Sequence, residues 1–259
     1  MKRASTVIFA LTMAALGAAG LIEGRFTPIW AGVPRGLPAR VALAYLCALV
    51  ALLCGIGLLL PRTAALAARL LLGWYVLWML AFRLYLLVLD PVSTGTWWAI
   101  GDTAVMIGTA WMLVVRYPGE GAGAIPRLIN GDKGRRIASA LYGLGMIPFG
   151  IAHFTYLDRT VSMVPGWLPG HLFWAMFFGG AFIVAGLAII TGFYARLAAT
   201  LVAVQVALFT VLVWGPVALA GHFSPSDWQE TVVSWVLTAA TWVVAESYSN
   251  APWRGMGQP

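Results

Sequence analysis

Val33-Pro34-Arg35-Gly36-Leu37-Pro38 and Val164-Pro165-Gly166-Trp167-Leu168-Pro169 are one short phrase written twice, 131 residues apart. Proline fixes φ and removes a backbone donor, so each copy must break the chain between helices rather than sit inside one. In both places a long apolar run lies on either side. The same spacing relates Gly55 to Gly186, Ala64-x-Leu66-Ala67-Ala68 to Ala195-x-Leu197-Ala198-Ala199, Trp97 to Trp228, and Trp111 to Trp242. Upstream, Phe26-Thr27 corresponds to Phe154-Thr155 at a spacing of 128, so the second connector carries three extra residues. Alanines and leucines coincide readily in so apolar a chain. A repeated Val-Pro-x-x-Leu-Pro and two tryptophans in one register do not, and the chain reads as two similar blocks.

Apolar residues make up 61% of the 259 and charged residues only 10%. A water-soluble domain carries roughly 25% charged residues. This chain cannot cover a solvent-facing surface, so that surface must face lipid. A spanning helix needs about 20 largely apolar residues. Eight windows qualify: 4–22, 41–60, 70–89, 97–115, 137–157, 171–191, 198–219 and 230–248. The expected fold is all-α, a polytopic membrane protein with eight transmembrane helices as two parallel four-helix repeats. Residues 1–115 form the first repeat, 116–136 a cytoplasmic linker, 137–250 the second repeat and 251–259 a short cytoplasmic tail. Four spans per block bring both blocks in from the same side, which predicts a pseudo-two-fold axis along the membrane normal.

Basic residues set the orientation. One side holds Lys2, Arg3, Arg62, Arg69, Arg116, Arg127, Lys133, Arg135, Arg136, Arg196 and Arg254, against Arg25, Arg35, Arg40 and Arg159 on the other. The positive-inside rule puts both termini in the cytoplasm. Met1-Lys2-Arg3 followed by an apolar run and Ala18-Ala19-Gly20 also fits a leader peptide. The first span has a counterpart in the fifth, however, so a retained helix is expected. The net charge of +7 is scattered singly at span ends, which argues against nucleic acid, where cations cluster. Cys47 and Cys54 lie two helical turns apart in one apolar run and are expected to be small core residues.

Charge inside lipid is costly and needs a partner or a purpose. Arg83 and Asp102 sit at matched depths, about 10 and 8 Å from the same face at 1.5 Å per residue. Their counterparts are Trp214 and Val233. Both charges are missing together, as expected of an intramembrane ion pair, with snorkelling of Arg83 or a proton or substrate role as alternatives. In the fifth span, Tyr142, Met146, Phe149, His153 and Tyr156 share one helical face. With His171 they would line a pocket near the outer face, suited to a quinone head or a haem edge. The competing reading is an interfacial aromatic belt. Arg25 and Arg40 occupy the corresponding positions of the first block, with Glu23 and His222 near the same side. Three scattered histidines make no metal ligand set, and nucleotide, zinc-protease and nucleophile-elbow motifs are absent.

The second block carries Gly150-Ile-Ala-His153-Phe154, Val164-Pro-Gly-Trp-Leu-Pro169-Gly-His171 and Gly192-x-Tyr-x-Arg196-Leu-Ala-Ala. In these residues it resembles the DoxX-like family of small four-helix bacterial membrane proteins, over most of 137–248 and more weakly over 10–115. The resemblance implies a tandem DoxX-like protein of a bacterial inner membrane and a quinone-linked redox component, with no catalytic residue to carry over. The partners it allows are the lipid bilayer, a periplasmic or membrane redox protein, and further copies of the chain. A small-solute carrier and a non-catalytic scaffold stand as alternatives. A carrier needs a continuous polar path, whereas the polar residues here gather in the outer half.

Overall fold

The computed structural model describes residues 4–118, 131–221 and 224–259. Among them the chain is helical, with no strand beyond a single bridge between Phe193 and Met256. The helices are α1 (Ala4–Glu23), α2 (Arg40–Leu59), α3 (Ala64–Leu89), α4 (Thr94–Arg116), α5 (Asp132–Thr155), α6 (Leu157–Met163), α7 (His171–Thr191), α8 (Ala195–Ala220) and α9 (Pro225–Ser247). Seven of them, all but α6 and α9, are long and apolar enough to cross a membrane. The α9 helix has the length, 23 residues. Asp227, Gln229, Glu230 and Glu246 lower its hydropathy below that of the others.

Two expectations about the connections need correction. Arg116 ends α4 and Asp132–Arg136 open α5. The linker expected over 116–136 is therefore shorter at both ends, and its middle lies outside the described residues. The stretch 251–259, expected as a short tail, is also structured. It folds back on the α7–α8 connection, where the Tyr194 amide donates to Gly255 O at 2.9 Å and the Gly257 amide to Gly192 O at 2.8 Å. Arg196 donates to Ala251 O at 2.8 Å and lies 3.9 Å from the centre of the Trp253 ring.

Helices α1, α2, α3 and α4 pack in sequence, as do α5, α7, α8 and α9. The fourth helix of each set then packs on the first helix of the other, α4 on α5 and α9 on α1, and α4 meets α9 between them. Close approach uses small residues where lipid supplies no hydrophobic drive between helices. A β-carbon on Gly143 or on Gly186 would come within 2.6 Å of the other's carbonyl oxygen, so α5 and α7 touch backbone to backbone there.

Several details recur at the 131-residue spacing. The α3 helix contains a five-residue π turn at Met79–Arg83, and α8 contains one at Thr210–Trp214. The Leu37 amide donates to Pro34 O at 3.3 Å, and the Leu168 amide to Pro165 O at 2.9 Å. Ala39 and Gly170, each just before a helix, are both left-handed, with φ of 54° and 75°. Where α4 meets α9, the Thr109 hydroxyl donates to Ala240 O at 3.5 Å, joining a residue to its own counterpart.

At the end of the bundle where α4 stops, Arg116 gathers three helices. Its guanidinium donates to Thr6 at 2.6 Å and to Val243 O at 3.3 Å, and lies 3.6 Å from Glu246, which also accepts from Ser5. Gln205 is a polar residue enclosed by the bundle. It is buried within α8 and donates to Phe178 O at 3.2 Å. Cys47 and Cys54 are buried and free, as expected.

Candidate functional site

A cavity of about 610 Å³ lies among α5, α6, α7, α8 and α9, with Trp98 of α4 also on its wall. Sites for small molecules commonly span about 300–1,000 Å³ and are mostly apolar, with a few placed polar groups. The α5 wall gives Met146, Phe149, His153 and Tyr156, and the α7 wall gives Trp174, Ala175, Phe178 and Phe182. The α8 wall gives Val206, Phe209 and the π-turn residues Leu212, Val213 and Trp214. A π turn inserts an extra residue into the helical repeat and swings the following side chains round; here it turns three consecutive side chains into the cavity. The α9 wall runs from Glu230 through Ser234 and Leu237 to Thr241, about 16 Å along the helix at 1.5 Å per residue. The space is therefore long and apolar. Its charged groups, Arg159 of α6 and Glu230, sit at the end where α5 stops and α7 begins.

His153 is fixed in place. Its Nδ1 lies 2.8 Å from Phe149 O. A carbonyl can only accept, so Nδ1 carries a proton, and whenever the ring is neutral Nε2 is the acceptor. The ring stacks on Phe209, with centroids 6.0 Å apart, and contacts Phe182 at 5.5 Å. Phe178 meets Phe209 edge-on at 5.0 Å. Deeper in, the Thr210 hydroxyl shares hydrogen bonds of 2.7 Å with both Ser234 and Thr238, which satisfies those groups and leaves the inner wall apolar in character.

The residues expected from the sequence are divided by the structure. Phe149, His153 and Tyr156 line the cavity together. Tyr142 does not: it is fully buried against Gly108 of α4, and its hydroxyl has no hydrogen-bond partner. His171 opens α7 and is not part of the lining. Arg25 pairs with Glu23 at 2.7 Å on the surface, and Arg40 lies over the Phe26 ring at 5.1 Å. Arg25, Glu23 and Arg40 thus make local contacts away from the cavity lining, and His222 lies outside the described residues. Arg159, Glu230, Phe178 and Phe209 were not singled out. They come from four different elements, and only the fold brings them together.

Arg83 and Asp102 also require a correction, since they do not close into a contact ion pair. Arg83, buried in the π turn of α3, donates from Nε to Thr103 at 3.0 Å and from Nη1 to Ala31 O at 2.9 Å. The bond to Ala31 O ties the α1–α2 connector to α3, and the bond to Thr103 ties α3 to α4. Gly32 makes this geometry feasible: its φ is +85°, and a β-carbon there would lie 2.7 Å from Arg83 Nη1. Asp102 Oδ1 has no hydrogen-bond partner and faces a void of about 20 Å³ beside Tyr75 and Thr103, which is space for one water. No family model, curated protein or solved structure matches this chain.

Proposed function

We propose that this chain is a DoxX-like integral membrane protein of two parallel four-helix units, and that its second unit binds a membrane-soluble quinone-class molecule near the outer face. The cavity carries the binding reading: an apolar space with one oriented imidazole and two charged groups at one end. A quinone is an apolar body with a polar ring at its head, and the space offers both environments in that order. A reduced head can donate an O–H to His153 Nε2, and an oxidised head can accept from Arg159. Both sit at the end that the basic-residue count assigns to the periplasm, with both termini in the cytoplasm.

The paired π turns, the matching proline turns and the Thr109–Ala240 contact support the two-unit reading, because a residue on a two-fold axis meets its own equivalent. They also support an eighth span, α9, as the partner of α4. Its burial between the two units explains why it is less apolar than a lipid-facing helix. Redox partnership is the role this binding would serve.

The test is a titration of detergent-purified protein with a quinol and the matching quinone, followed by Trp fluorescence. His153→Ala should weaken quinol binding about tenfold, as expected for one lost hydrogen bond of about 1.4 kcal/mol. Unchanged quinol affinity would count against the site.

A further inference from the structure

The large cavity is lined mainly by the second set of helices, and the matching place in the first set is filled. In the first half, Trp30 enters the bundle from the α1–α2 connector and is buried to 1% exposure. Its ring stacks on Tyr75 at 5.0 Å and meets Trp78 edge-on at 5.1 Å. The counterparts of Tyr75 and Trp78 at the 131-residue spacing are Val206 and Phe209, and both line the large cavity. Trp30 therefore fills the space that stands open in the second half. The second connector has three extra residues and winds into α6 instead, which keeps it out of the bundle. Trp30 Nε1 has no hydrogen-bond partner, so the residue serves by its flat ring and not by its polar atom. Arg83 holds the connector down through Ala31 O.

We infer that Trp30 is a built-in occupant of a disused first-half site, and that the cavity in the second half takes a flat fused-ring head lying over Val206 and against Phe209. The inference rests on the proposed binding role and narrows it to the ring class. A plain acyl chain would fill the volume without using the slot. The Trp30 ring marks its orientation, face-on to the 75/206 position and edge-on to the 78/209 position. Replacement of Tyr75 and Trp78 by the smaller Val206 and Phe209 leaves room for a ring that is not tethered to the backbone.

Equilibrium dialysis of detergent-purified protein with 2-methyl-1,4-naphthoquinone tests this. Wild type should bind one molecule per chain, Val206→Trp none, and Trp30→Ala two, the second in the vacated slot. One molecule bound by both wild type and a folded Trp30→Ala would overturn the plug and leave the cavity reading intact. No binding by wild type would instead defeat the proposed function itself. If Trp30→Ala does not fold, competition on wild type decides: the naphthoquinone should bind at least tenfold tighter than 1-decanol, and equal binding would overturn the ring assignment.

Discussion

Arg83 shows how a buried charge is made tolerable without an opposite charge in contact. Its two hydrogen bonds go to Thr103 and to the carbonyl of Ala31. Losing it strands that carbonyl, and a buried polar group left unpaired costs about 1–3 kcal/mol. Arg83→Met should therefore lower the unfolding free energy in detergent by about 1–3 kcal/mol, while Asp102→Asn should change it little. Equal damage from both would restore an ion-pair account. At this scale the sequence was half legible. The face shared by Phe149, His153 and Tyr156 follows from the helical period alone, and the three do line one cavity. Arg83 was visible as a costly residue, but its partner was not, because a backbone carbonyl in a connector leaves no mark in a residue pattern. Glu230 and Arg159 stayed hidden for the same reason: their nearness depends on how α6 and α9 are placed.

The elements repeat down to their irregularities. The two proline turns end on left-handed residues, but one is Ala39 and the other Gly170. A left-handed alanine costs about 1 kcal/mol that glycine avoids. Ala39→Gly should accordingly raise the unfolding free energy by about 0.5–1 kcal/mol, and Gly170→Ala should lower it by a similar amount. A neutral pair of results would mean that these turns relax at little cost. The turns and the helix on each side were readable from proline and hydropathy. The π turns were not, since Met79–Arg83 and Thr210–Trp214 share no residue that would announce one. Nor did hydropathy anticipate the folding back of 251–259, which is fixed by backbone hydrogen bonds and by Arg196 on Trp253.

Across the whole molecule, the set α1–α4 and the set α5–α9 differ in what they enclose. The first half is closed by Trp30 and pinned by Arg83, and the second keeps about 610 Å³ open with charge only at one end. The phrase repeated at 131 residues was legible in the sequence, but the difference in what the two sets of helices enclose was not. It depends on three extra residues becoming a helix over the cavity instead of a plug within it.

Native mass spectrometry of the protein extracted in mild detergent tests the central claim most directly, comparing wild type with Ala175→Phe, which would put a ring into the cavity from the α7 wall. Wild type is expected to carry one ring-bearing lipid-soluble molecule per chain and the variant none, at equal thermal stability. A folded wild type that neither retains nor takes up such a molecule, or a variant that holds it equally well, would contradict the account.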